Sequence, residues 1–481
     1  MKTRSGVLLN SLSQAGVRLL GSACALFLTW IIARKSVDDL GVFRTLFVYF
    51  LISEFIPLLG MQTFLFREIA LHPHQIKKYT LHAIIFSGIV AGVGMLLLSG
   101  LAIRGSYSAV ISRGLFIVAA GLPATAASLV GLCVLVGAGQ ATRFSFVQGI
   151  ETLVRTGAGI VCILSGWGVL SVIAAMTISR WLTMVGYWYS VRPLFDRESW
   201  RFDRKFFREF LSHVPTFAGI TTLSLVTRFA TQAMLPWILN DASAGQFAAA
   251  YMFIDLALLV PTALTTNLMP VLARKARESS VALSDACRQG IKIMATGVLP
   301  ISAIIAAVAR PMFAAVLPGN ASYEVSARVL EIVIWACSLQ AIDQVLASAI
   351  VARGRADIDL RTVSIGAVSL VVLLIVLIPR CGVIGAAVGF LGGSSIALTA
   401  RFNLVGKYIP DIRPLEVFWR PALASGAASA SAFIIAPRNW LAAAVVGAAV
   451  YLALLGIFGG FARGEREGVL RLLQAGRAQP S

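Results

Sequence analysis

The stretch TTLSLVTRFATQAMLPWIL, Thr221 to Leu239, carries a single charge, Arg228, near the middle of an otherwise apolar or mildly polar run. About 20 such residues cross the hydrocarbon of a bilayer as a helix. Runs of this kind recur along nearly the whole chain of 481 residues, of which 58% are hydrophobic and only 13% charged. The mean hydropathy is +0.83. A soluble domain carries about 25% charged residues, and the alternating pattern of a membrane barrel is absent. The chain is therefore read as an all-α polytopic membrane protein.

About fourteen transmembrane helices are expected, at roughly 7–32, 44–66, 79–101, 113–138, 143–165, 168–191, 213–239, 246–272, 289–309, 324–350, 361–379, 382–404, 415–436 and 439–461. No gap between them holds a soluble domain. The net charge of +19 would suggest nucleic acid in a soluble protein. Here its distribution argues otherwise. With the N-terminus inside, and residues near span ends counted with the adjoining loop, 28 Lys and Arg fall in inside segments, 9 in outside ones, and four deep within spans. Such a bias marks the cytoplasmic face and places both termini there. The partner is membrane lipid, not nucleic acid. The N-terminus lacks a cleavage-site pattern, so the first span is read as retained.

The six cysteines form no CxxC and mostly lie in apolar spans, which favours packed thiols. The pair His72 and His74 lacks further ligands at metal-binding spacing. Neither a metal nor a cofactor is expected.

Four domains are expected: a six-helix bundle over 1–195, a cytoplasmic interfacial amphipathic linker over 196–212, a second six-helix bundle over 213–406, and an extra helix pair with a cytoplasmic tail over 407–481. In the linker Phe202, Phe206 and Phe210 recur at every fourth residue among Arg201, Arg204, Lys205 and Arg208. That pattern suits a helix lying in the inner membrane surface.

The two bundles read as a duplication. Gly41, Phe43 and Pro57 match Gly245, Phe247 and Pro261 at one offset. Arg113, Leu115, Gly139 and Ala141 match Arg328, Leu330, Gly354 and Ala356 at another, and Gly168–Val169 matches Gly382–Val383. Each match is weak in apolar sequence, but their order is regular. Six spans are an even number, so the pseudo-repeats share one orientation and are related by an axis along the membrane normal. Such proteins commonly bind at the midplane and rock around the site.

The charges within spans are the candidate functional residues. Arg18, Arg155, Arg180 and Arg228 lie some ten or more residues from the ends of their spans. An arginine at a helix centre costs at least about 2.5–3.5 kcal/mol on insertion scales. Four of them imply a wet cavity, partners, or both. Asn10, Gln14 and Arg18 share one helix face, as do Gln148, Glu151 and Arg155, and Thr221, Ser224, Arg228 and Gln232. Glu151 and Arg155 also stand at the spacing of a local ion pair. The acids within spans are Glu54, Glu151, Asp255, Glu331 and Asp343. Two readings stay open: anion binding in the first half with cation or proton binding in the second, or cross-helix ion pairing.

The stretch Leu8–Phe47, LLNSLSQAGVRLLGSACALFLTWIIARKSVDDLGVFRTLF, followed by Ile56–Ala70, IPLLGMQTFLFREIA, resembles the opening of the Wzx-type polysaccharide flippases. These belong to the multidrug/oligosaccharidyl-lipid/polysaccharide exporter superfamily. The second half resembles the same pattern through Ala242–Ala276. The resemblance implies a bacterial inner-membrane transporter, not an enzyme. Its implied substrate is an undecaprenyl-diphosphate-linked oligosaccharide, moved from the cytoplasmic to the periplasmic leaflet for O-antigen, capsule or exopolysaccharide. Arginine suits a diphosphate because its fork makes paired, charge-assisted hydrogen bonds. Arg18, Arg155, Arg180, Arg228, Asn10 and Gln14 are then the substrate-binding candidates. Asp255, Asp343 and Glu54 are the candidates for coupling to H+ or Na+, and the polysaccharide polymerase machinery is the implied partner.

Two rivals remain from the sequence. One is a drug/cation antiporter of the same superfamily, using Asp255, Asp343 or Glu54. The other is a polytopic glycosyltransferase or polymerase, for which Asp357 and Asp359 supply a DxD. That DxD lies in a short loop with no nucleotide-binding domain to support it.

Overall fold

The structure, a computed structural model, describes residues 25–105, 107–195, 200–317, 323–406, 408–409 and 414–457. Asn10, Gln14 and Arg18 lie outside the described residues. Among those described, every regular element is helical: α1 (25–35), α2 (Val37–Ser53), α3 (Gln62–Leu71), α4 (Ile76–Arg104), α5 (Ala109–Ala120), α6 (Leu122–Gly137), α7 (Ala141–Leu164), α8 (Val169–Val191), α9 (Arg204–Ile238), α10 (Asp241–Ala257), α11 (Leu259–Glu278), α12 (Ser280–Val316), α13 (Tyr323–Ala352), α14 (Ala356–Val405), α15 (Pro414–Ile435) and α16 (Trp440–Ile457). Eight helices among the described residues are long and apolar enough to cross a membrane, or up to ten if each of two bent pairs is one span.

Short polar residues start many of these helices. Ser36, Ser108, Asp203 and Ser279 each accept a backbone N–H of the first turn of α2, α5, α9 and α12. Such a cap satisfies donors that the helix cannot bond internally.

The chain forms two compact units, 1–245 and 246–481. The division falls one helix beyond the sequence-derived start of the second bundle at 213, because α9 packs on α2 in the first unit. The core of the first unit gathers Leu58, Met61, Leu65, Ala83, Phe86, Val130, Val134 and Tyr187 around Phe210. In the second, α12 packs on α13, α15 and α16, with Tyr451 donating to the Thr296 carbonyl over 2.6 Å.

The helical run α14 is two antiparallel helices. Gly382, at φ +60° and ψ −140°, breaks it. A β-carbon on Gly389 would lie 3.2 Å from Leu374, one on Gly393 2.9 Å from Leu370, and one on Gly366 2.8 Å from Ala397. The partners run in opposite order along the chain, as in a hairpin. This agrees with the expected spans 361–379 and 382–404. Only glycine adopts that backbone geometry readily, and a side chain there costs about 1–3 kcal/mol. Gly382→Ala is expected to lower the thermal unfolding midpoint in detergent, while Gly426→Ala, in open surroundings, leaves it unchanged.

Three local features recur at the offsets read from the sequence. Helix α6 ends at Gly137 and α13 at Ala352. After each, a left-handed glycine, Gly139 (φ +70°) or Gly354 (φ +80°), turns the chain. The hydrogen bonds there are equivalent: Gln140 N–H to the Leu135 carbonyl, and Arg355 N–H to that of Ile350. This six-to-one bond is the Schellman cap. Gly168 and Gly382 both have positive φ and both precede a valine that opens a helix. The third feature is a close crossing. A β-carbon on Gly41 would strike the Asp241 carbonyl, and one on Gly245 would strike that of Val37. The four residues form two pairs at the offset of 204, Val37 with Asp241 and Gly41 with Gly245. These features support the duplication. Small residues let helix backbones approach this closely. Gly41→Leu is expected to reduce folded yield on size-exclusion chromatography sharply, whereas Gly88→Leu, with nothing within 4 Å, is expected to be tolerated.

From Arg204 the linker is helical and continues into α9; Phe206 and Phe210 pack against protein, while Phe202 is exposed. Phe210 is 2% exposed. Its ring lies 5.9 Å from Phe64 and 5.7 Å from Phe86. Phe206 packs 4.9 Å from both Tyr79 and His82. An i,i+4 aromatic stripe fits any apolar surface, and here α3 and α4 supply one.

Candidate functional site: charges within the helices

In the first unit, Glu54 caps α2, Glu151 and Arg155 stand one turn apart on α7, and Arg180 lies on α8. The structure brings all four together. Arg180 pairs with Glu54 and lies 3.2 Å from Glu151. Arg155 lies 3.6 Å from Glu151 and 4.0 Å from Glu54. The Arg180 guanidinium also stacks over Phe50, 4.6 Å from the ring centre. Arg180 and Glu151 are 8% and 9% exposed. Two cations and two anions give a neutral quartet that joins three helices. Cross-helix pairing, one of the two readings open from sequence, therefore describes Arg155 and Arg180.

Arg228 is different. It is exposed on α9, near the middle of the apolar segment 217–238, and its guanidinium lies 5.4 Å from the Phe229 ring centre. It has no carboxylate partner among the described residues. Ser224, one turn away, is exposed on the same face, and Thr221 is half-buried. Gln232 leaves the expected polar stripe: it is buried and accepts a 2.7 Å hydrogen bond from Arg44.

In the second unit Arg401, 3% exposed, bridges two acids. Its Nε donates to Asp343 over 2.5 Å, and Nη1 donates to Asp359. Asp255, on α10, is half-buried. Glu331 holds Arg310 at 2.8 Å at the surface. Asp357 pairs with Arg355 through two hydrogen bonds of 2.9 and 3.0 Å, and Arg355 also donates to Tyr408. Both carboxylates of the DxD are thus occupied by arginine. Among the described residues no group of three His, Cys, Asp or Glu is placed to hold a metal ion.

Sequence reasoning missed Arg44 and Arg401, which it counted as loop-end charges. Arg44 lies well inside α2, and Arg401 lies before the end of α14. The available signal was the helical run continuing past each of them.

The fold is that of known transporters. Against the lipid II flippase MurJ in its inward closed conformation, the TM-score is 0.72 at 14% identity, covering 94% of this chain and 99% of that one. An inward-facing multidrug resistance MATE family transporter of the MOP superfamily gives 0.64 at 14% identity, covering 83% of this chain and 98% of that one. The outward-facing conformation of such a MATE transporter gives 0.56 at 15% identity, over 83% and 94%. A sequence search of curated proteins found no match. A family model described as "Polysaccharide biosynthesis protein" matches residues 31–327. A multi-pass helical chain that shares its fold with these structures, it belongs to the polysaccharide biosynthesis protein family.

Proposed function

We propose that this protein flips an undecaprenyl-diphosphate-linked oligosaccharide from the cytoplasmic to the periplasmic leaflet of the bacterial inner membrane, by alternating access, with both termini cytoplasmic. The product feeds O-antigen, capsule or exopolysaccharide assembly through the polymerase machinery. The carrying observation is Arg228: an exposed guanidinium in mid-span, with no carboxylate partner among the described residues, on a chain of this family. A diphosphate bears the charge such a group lacks, and hydrocarbon offers nothing else to match it. Exposed Ser224 beside it suits a sugar hydroxyl or a phosphate oxygen. Arg18, Asn10 and Gln14 join this set on the sequence pattern alone.

Arg155 and Arg180 take a secondary place, since Glu54 and Glu151 already neutralise them. Coupling to H+ or Na+ is assigned to Glu54, Asp255 and Asp343. Glu54 and Asp343 can contribute only by exchanging an arginine for the ion. Deletion of the gene, complemented by the wild type, tests the reading: surface polysaccharide is lost and restored, and resistance to cationic drugs does not change. The superfamily's antiporter reading predicts the reverse, and similarity to the MATE fold keeps it as the second reading.

A further inference from the structure

At one end of the first unit, the N-terminal turns of α9 present a row of cations. Arg201, Arg204, Lys205 and Arg208 are all exposed, and none has a carboxylate partner among the described residues. Beside them Trp200 is 45% exposed and Phe202 53%. This row is not a solvated loop. His82 is fully buried, accepts the Asp203 N–H over 3.1 Å, and stacks 5.1 Å from Phe202. Asp203 caps α9 and pairs with Lys78 at 2.8 Å. Lys78 also lies 4.5 Å from the Phe206 ring centre. The Lys78 hydrogen bond, helped by the Phe206 N–H, pushes the Asp203 carboxyl down to about 2. The clasp is therefore charged at neutral pH. With Phe206 and Phe210 held against α3 and α4, the cations have only one direction left to face.

Their depth suits a bilayer surface. The segment 217–238 of α9 is apolar, and 204–212 bends from it by 45°. At 22 residues that segment is about 33 Å long, close to the hydrocarbon thickness. Arg208 stands about 13 Å of helix before it, and the bend brings it nearer the surface. That is within a long side chain's reach of the phosphate layer. An exposed tryptophan beside lysine and arginine is the composition of a membrane–water interface. A polar protein partner would have no use for Trp200 and Phe202 at that depth.

We infer that these turns of α9 form a docking strip for anionic phospholipid headgroups in the adjoining leaflet. Under the proposed topology that is the cytoplasmic leaflet, where basic segments attract anionic lipid.

The test is native mass spectrometry of the full-length purified protein with added phosphatidylglycerol, and separately phosphatidylcholine. Wild type retains phosphatidylglycerol at least tenfold more tightly. The variant Arg201→Gln/Arg204→Gln/Lys205→Gln/Arg208→Gln loses that preference. Arg201→Lys/Arg204→Lys/Arg208→Lys keeps it, which separates loss of charge from loss of fold. Arg277→Gln/Arg288→Gln, exposed cations of the second unit, also keeps it. The inference is overturned by equal retention of the two lipids, by equal loss in both Gln variants, or by binding of polyglutamate in place of phosphatidylglycerol. The last result would point to an acidic protein partner.

Discussion

Arg228→Ala is expected to slow translocation roughly 10- to 150-fold, the rate equivalent of losing charge-assisted hydrogen bonds of about 1.5–3 kcal/mol. Membrane abundance should stay normal, because the side chain is exposed and no carboxylate among the described residues is left stranded by its removal. Arg228→Lys keeps the charge but not the planar fork, and is expected to fall between alanine and wild type. Initial rates in proteoliposomes, normalised to folded protein, make the comparison. Wild-type rates in the alanine variant would remove Arg228 from the substrate path.

The second large effect concerns stability. Glu151→Ala leaves Arg155 and Arg180 with only Glu54 between them. Removing one member of a buried ion cluster typically costs about 3–5 kcal/mol, since the remaining charge is buried without its partner. Arg180→Met alone should cost a similar amount. The double variant Glu151→Met/Arg180→Met should cost much less than the two singles together, because it strips one charge of each sign and replaces them with apolar volume. Thermal unfolding midpoints in detergent read the cycle. Additive losses would mean that the two side chains do not depend on each other for charge balance.

The two predictions assign different work to residues that look alike in sequence. Arg155, Arg180 and Arg228 are each a lone guanidinium in an apolar run, and hydropathy treats them identically. What separates them is which acids arrive from other helices. Glu54 comes from α2 and Glu151 from α7, and neither meeting with Arg180 has a local sequence signature. The i,i+4 spacing of Glu151 and Arg155 did show, because that contact is set by helix geometry. Arg44 and Arg401 were missed for the converse reason. A charge near a span boundary reads as loop, and only the packed partners, Gln232 for one and Asp343 with Asp359 for the other, reveal it as buried.

The helical class was legible because composition alone places this chain in a bilayer. The hairpin within α14 was legible because Pro379 and Gly382 interrupt a long apolar run. The repeat was visible as weak matches, and those matches coincide with places where backbone geometry is demanding: the caps at Gly139 and Gly354, the starts at Gly168 and Gly382, and the crossing of Gly41 with Gly245. Two phenylalanines of the linker's stripe, Phe206 and Phe210, meet a protein surface that the sequence does not show. Amphipathicity reports that a face is apolar and cannot distinguish a bilayer from a shelf of Phe64, Tyr79 and Phe86.

The most direct measurement is translocation itself. The purified protein is reconstituted into vesicles bearing a polyprenyl-diphosphate oligosaccharide with a fluorescent sugar, and an impermeant quencher is added outside. With wild type, quenching is expected to run past the outer-leaflet half toward completion, to do so roughly 10- to 150-fold more slowly with Arg228→Ala, and to stop at half with empty vesicles. Quenching that stops at half with wild type, in vesicles that do take up a cationic dye, would contradict the flippase reading and leave a drug antiporter in its place.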